Sequence, residues 1–362
     1  MSDASRRPSV LVLLKEYPQI SQTYIKHEIE AIEQHADLTI VTRKGPDIPY
    51  DNHRPYRTAE HPDEIREIVA EVEPDVIHTH YLVELPVVGP IAEEADLPFT
   101  VRAHSFDTLA LRRKSWKGRL KQRIKRTPPL ERTPWFQEGL RWMRDERCLG
   151  VLTFPFTRPW LERVGAPGDK LVDCWPVVDV QRFLDDTPNG DGVMNTGVAT
   201  PKKKMTDFVD LAAAVPDVPF RLYGMGYEID DLHDHNRRHG SPVEFVDPVQ
   251  PEQMPAEYKQ HRWLVYTADF DIPTVGWPMA VAEAQASGVG VCMPRIRPDL
   301  ATYVGPGVLY DSIDELPEIV SGPVPDEMRR DGFEHARRSD IGTHKRLLTD
   351  LWAGALTDVP AG

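Results

Sequence analysis

One glutamate set in a run of small apolar residues carries the sharpest chemical signal in this chain. Glu283 lies in Gly276-Trp277-Pro278-Met279-Ala280-Val281-Ala282-Glu283-Ala284-Gln285-Ala286-Ser287-Gly288. A Gly-x-Pro turn enters a short apolar helix whose one acid is Glu283, Gly288 closes it, and Val289–Met293 reads as a buried strand. The N-terminus of such a helix attracts phosphate, and a carboxylate close to it accepts from ribose hydroxyls. Lys202, Lys203 and Lys204 stand side by side after a strand-like run. Three adjacent cations usually make a solvated turn; in an acidic protein the competing role is to hold phosphate. His78, His80 and His104 stand at the ends of two further strand-like runs, where parallel sheets bind ligands. Strand alternation puts His78 and His80 on one face.

These groups need a scaffold, and the chain spells one. Val10–Leu14, Leu38–Thr42, Pro74–His80 and Phe99–Ala103 read as strands. They alternate with helical stretches at Tyr24–His35, Ala59–Glu71 and Leu85–Ala95. Such βαβα order predicts an α/β fold with a parallel, doubly wound sheet. The pattern recurs after residue 190. Gly192–Ala199, Phe220–Tyr223, Val243–Val246, Trp263–Thr267 and Val289–Met293 read as strands, and Asp207–Ala214 as a helix. The Pro- and Asp-rich stretch Trp175–Asn189 reads as the linker. Two domains follow, 1–175 and 176–340. Leu347, Leu348, Leu351 and Trp352 give the tail an apolar helical stripe.

Composition narrows the class. A chain of 362 residues holds two domains with full cores. A formal net charge of -14 argues against nucleic-acid binding. Cys148, Cys174 and Cys292 are odd in number and widely spaced, as buried thiols of a cytoplasmic protein would be. The run Val10–Leu14 is too short for a signal-peptide core or a membrane span.

The residues around Glu283 resemble the nucleotide-sugar site of retaining glycosyltransferases of family 4 (group 1). That family carries a second Glu eight residues after a first. Glu283 matches the second, and Val275 stands at the first; Thr274 and Asp271 are candidates to supply the missing acceptor. Other landmarks follow in family order. Tyr17-Pro18-Gln19-Ile20-Ser21-Gln22-Thr23-Tyr24-Ile25 resembles the segment after the first strand. Ala103-His104-Ser105-Phe106-Asp107 resembles its Ala-His-x-x-Asp motif. Gly197 and Lys203 fit its Gly-Arg-x-x-x-x-Lys spacing, with Val198 in place of Arg. Gly224-Met225-Gly226 falls where a glycine loop is expected.

The resemblance implies two Rossmann-like domains facing a cleft, the GT-B arrangement, with the helix 341–362 returning to the first. It implies sugar transfer from a nucleotide-diphosphate donor to an acceptor hydroxyl, with retention and no metal or other cofactor. His104 and Lys203 would be catalytic. Lys204, Gly224, Gly226, Gly276, Trp277, Pro278 and Glu283 would bind the donor, and Ser21, Thr23 and His80 would face the acceptor. A lipid-linked saccharide or other surface glycan is the expected acceptor class. Two rival readings share the fold: a binding or regulatory protein that has lost catalysis, as Val198 and Val275 would indicate, and a sugar-nucleotide epimerase.

Three features remain, the first two with blander readings. Asp269-Phe270-Asp271 is a formal Asp-x-Asp, but such tripeptides are common in acidic chains. His233, His235 and His239 include an i, i+4 pair of the kind that binds metal, set among the charges of a solvated helix face. Residues 111–126 include many bases and no acid, with Trp116, Leu120 and Ile124 at spacing four. That pattern suits an anionic membrane surface, hence a cytoplasmic protein peripheral on the inner face of the membrane.

Overall fold

The computed structural model of the chain describes residues 6–111 and 129–357. The basic stretch falls almost wholly on 112–128, outside the described residues. The chain divides into two compact units. One comprises Met1–Gln19, Ile25–Trp175 and Gly342–Gly362, and the other Ile20–Tyr24 and Pro176–Ile341.

The first unit is a seven-stranded, wholly parallel sheet. Its strands are β1 (Ser9–Glu16), β2 (Asp37–Lys44), β3 (Arg57–Thr58), β4 (Val76–His80), β5 (Phe99–Arg102), β6 (Cys148–Thr153) and β7 (Leu171–Asp173), in the order β3-β2-β1-β4-β5-β6-β7. The run Val10–Leu14 is buried throughout, as a parallel strand covered on both faces requires. The order reverses between β1 and β4. Crossover connections leave opposite faces there and open a crevice beyond the strand ends.

Part of the cover comes from the helix Ile341–Thr357. Its Trp352 is fully buried and donates its indole N–H to Thr100 Oγ1 at 3.1 Å. Gly150 in β6 admits Leu351: a Cβ on residue 150 would stand 2.8 Å from Leu351 Cδ1.

The second unit has six parallel strands: β8 (Gly192–Val198), β9 (Phe220–Met225), β10 (Val243–Val246), β11 (His261–Val265), β12 (Gly290–Pro294) and β13 (Val308–Tyr310). Their order is β10-β9-β8-β11-β12-β13, with the reversal between β8 and β11. The helix Met279–Ala286 precedes β12 and is buried over all but its first residue, so small alanines let it pack closely. Gly288 ends it with φ +73°, a left-handed position that favours glycine, and a Cβ there would meet Arg329 and Phe333. The two sheets confirm the α/β, doubly wound class. The four strands not expected from the sequence, β3, β6, β7 and β13, lie at or beside sheet edges.

Candidate functional site

The reversal point of the second sheet gathers the phosphate candidates. β8 runs into Thr200-Pro201 and a single 3-10 turn, Pro201–Lys203, which hands the chain to Lys204 in a left-handed conformation (φ 42°). This geometry sends the neighbouring lysines in different ways. Lys204 is exposed and pairs with Asp207 at 3.0 Å, which raises its pKa. Lys203 turns back over Gly197, which has φ +126°, and its ammonium lies 5.3 Å from the ring centre of Tyr266 after β11.

Among the described residues no carboxylate pairs with Lys203. Burial, then the charge of Lys202, pushes its ammonium down to about 8. A partly buried cation without a counter-charge is expensive, and an anion brought to it is bound correspondingly well. Gly197 pairs with Gly224 across the β8–β9 ladder. Gly226 has φ +113°, and a Cβ there would collide with Val198. Glycine backbone therefore lines part of this end of the sheet, with Lys203 and Val198 packed against it.

Glu283 is 9% exposed and accepts from Tyr258 Oη at 2.8 Å. Burial raises its carboxyl to about 7, against the lowering effects of Tyr258 and Arg182. The helix that carries it starts at Pro278 without a side-chain cap, so no side chain of its own N-cap occupies its first amides.

The loop before that helix is fastened from below. Arg297 donates to the carbonyls of Pro273 and Val275 and holds Asp299 through two bonds of 2.9 Å. Trp277 donates to Asp299 at 2.9 Å and stacks on Tyr303, ring centres 4.8 Å apart. Tyr303 donates to Pro278 O. Trp277, expected to bind donor, is 5% exposed, and its indole N–H serves this anchor. Pro278 caps the helix. Val275 is buried, Thr274 leans toward Ile272 O at 3.5 Å, and Asp271 is exposed, with its amide on Asp269. That Asp269 contact closes an Asx turn.

The first unit brings His78, His80 and His104 together. His78 and His80 lie on one face, ring centres 5.2 Å apart, and His80 Nδ1 is 3.0 Å from His104 Nε2. His104 caps the short helix Ser105–Thr108, its amide donating to Asp107 at 2.9 Å. Burial, then His80 and Arg102, keeps His104 well below the usual histidine range. His80 is 1% exposed, with both nitrogens directed at protein groups, and so offers neither to an acceptor. Ser21 is exposed in the turn Ile20–Gln22, and Thr23 opens the helix Thr23–Ile32.

Two buried charges missed in the sequence organise this cluster. Glu28 takes Arg102 Nε on one oxygen at 2.6 Å and His78 Nε2 on the other at 2.8 Å. Burial opposes its ionisation, but Arg102, His80 and His78 outweigh it and hold the carboxyl well below its ordinary value. Arg102 also reaches Cys174 Sγ at 3.2 Å. A guanidinium between two apolar residues of a buried strand was the available signal. Glu28, His78 and His80 have metal-ligand spacing, but Arg102 already neutralises the carboxylate, so the set is a poor cation site. Asp210, His235 and His239 also approach one another, with His235 Nε2 2.6 Å from Asp210 Oδ1. All three cysteines are buried and free.

No protein-family model matches the chain, and no curated protein is a significant sequence match. Solved structures do match, and they define the fold as GT-B, two Rossmann-like domains in one chain. Anabaena HepE, in complex with UDP and glucose, superposes with a TM-score of 0.71 at 14% identity, over 96% of this chain and 100% of that one. Sucrose-phosphate synthase from Thermosynechococcus elongatus gives 0.67 at 15%, over 96% and 99%. AviGT4, a glycosyltransferase involved in avilamycin A biosynthesis, gives 0.62 at 18%, over 97% and 99%. At these identities the likeness establishes the fold. No described helix is long and apolar enough to cross a membrane.

Proposed function

We propose that this protein is a glycosyltransferase that moves a sugar from a nucleotide-diphosphate donor to an acceptor hydroxyl. The observation that carries the reading is Lys203: a partly buried ammonium with no acidic partner among the described residues, at the reversal point of a parallel sheet and beside glycine backbone. A diphosphate supplies the missing charge, and stabilising it as it leaves is the electrostatic work that transfer needs. Glu283 then accepts from ribose hydroxyls, and the amides of the helix Met279–Ala286 add to the phosphate site. HepE is solved with UDP-glucose, a donor of this class. In this reading the reaction is retaining and needs no metal, His104 binds the donor sugar, and the acceptor is a lipid-linked or surface glycan reached from the cytoplasm.

A second reading is favoured by one observation. Val275 is buried and its backbone is clamped by Arg297, so the position of the family's first Glu offers no acceptor. A nucleotide-sugar-binding protein without turnover would look the same. Incubating the protein with a panel of nucleotide sugars and a mixed lipid-acceptor extract separates the two. Consumption of a donor that depends on the extract supports transfer. Tight binding with no donor consumed supports the second reading.

A further inference from the structure

We infer that Glu28 sets the tautomer of His104 through His80, holding the His104 proton on Nε2. Glu28 is 1% exposed and turns Oε2 to Arg102. Its Oε1 lies 2.8 Å from His78 Nε2 and 3.0 Å from His80 Nε2, the second contact off the line of an ideal hydrogen bond. An ionised carboxylate only accepts, so the nitrogen that faces it carries the hydrogen.

His78 tests this rule within the structure. With its proton on Nε2, its Nδ1 must accept, and Thr100 Oγ1 stands 2.8 Å away. That hydroxyl donates with its own hydrogen while one of its lone pairs takes the indole N–H of Trp352. Every group in the line Trp352–Thr100–His78–Glu28 then has one consistent role.

His80 follows by the same reasoning. Its proton faces Glu28, its Nδ1 holds a lone pair, and that lone pair faces His104 Nε2 at 3.0 Å. Two lone pairs do not meet at this distance, so His104 donates from Nε2 and keeps an acceptor at Nδ1. The reverse assignment would set a lone pair of His80 against the Glu28 carboxylate. Protonating either ring fully would place a second buried cation near Arg102. The consequence for catalysis rests on the transferase reading: Glu28 and His80 are positioning residues, and they make His104 a neutral ring with its proton on Nε2 and its acceptor at Nδ1.

The test is nitrogen NMR of the full-length protein labelled at its 13 histidines, with the His104 signals assigned by their loss in His104→Gln. In the wild type Nε2 is expected to be protonated and Nδ1 bare. In Glu28→Gln, Arg102 keeps the amide oxygen on its side and turns the NH2 toward His78 and His80. Both rings must then accept at Nε2, and His104 is expected to switch to Nδ1–H. His80→Phe keeps an aromatic ring but breaks the line, and His104 should then populate both tautomers.

A wild-type His104 protonated on Nδ1 overturns the inference, as does an unchanged His104 in a folded Glu28→Gln. If Glu28→Gln does not fold, the wild-type and His80→Phe spectra decide. These spectra do not depend on sugar transfer, so failure here is distinguishable from failure of the proposed function.

Discussion

The ammonium of Lys203 occupies the space that a side chain on Gly197 would fill. The glycine therefore does two jobs: it adopts φ +126°, and it makes room for the cation. Gly197→Ala should displace Lys203 and strain the backbone together. A stability loss of about 1–3 kcal/mol is expected in urea melts, with weaker nucleoside-diphosphate binding. An alanine variant that keeps full affinity would show that Lys203 reaches phosphate by another route.

Two pKa shifts bracket the pH range of binding. Glu283, raised to about 7, accepts from ribose more strongly once it ionises, so affinity should rise as pH climbs through 7. Lys203, lowered to about 8, loses its charge above that point, so affinity should fall again. UDP titrations from pH 6 to about 9 should show a maximum between the two values, with proton uptake near pH 8 as the phosphate restores the ammonium. A flat profile would exclude both groups from the contact.

The same shifts have opposite effects on the ligand-free fold. Between its unfolded value and about 7, the native state holds the Glu283 proton that the unfolded chain has released, so this group lowers stability as pH rises. Above about 8 the unfolded chain still holds the Lys203 proton that the native state has lost, so that group raises stability as pH increases. At pH 7, where Lys203 carries its charge, Lys203→Met should stabilise the unliganded protein by about 1 kcal/mol, since a desolvated charge is removed. Calorimetric melting is the check, and a destabilised methionine variant would mean that the ammonium has a counter-charge.

Val275→Glu tests whether the missing family acid can be restored in place. Val275 is buried, and the Arg297 that grips its carbonyl is already neutralised by Asp299. The new carboxylate should cost about 1–3 kcal/mol as a buried, poorly paired group. It should not tighten UDP binding. Gain of both stability and affinity would place residue 275 at the ligand.

Much of the scaffold was legible because β1, β4, β5, β8 and β12 are short apolar runs ending in chemically distinctive residues. β6 was not: Gly150 weakens its local signal, and that glycine exists for Leu351, two hundred positions away. Glu283 and Lys203 stood out by type and register. Glu28, Arg102 and Arg297 did not, because each looks like an ordinary surface charge until the fold buries it against a partner. Trp277 was legible as part of a motif but not in its role, since Asp299 and Tyr303, which hold it, lie beyond the next strand.

The role of Lys203 in holding diphosphate is measured by a calorimetric titration of the folded wild type and Lys203→Ala with UDP, GDP and ADP at pH 7.5. At least one nucleoside diphosphate is expected to bind the wild type, and Lys203→Ala to lose about 1.5–3 kcal/mol of that affinity, the worth of a hydrogen bond to a charged group. Unchanged affinity in Lys203→Ala, or no binding of any of the three by the wild type, would contradict it.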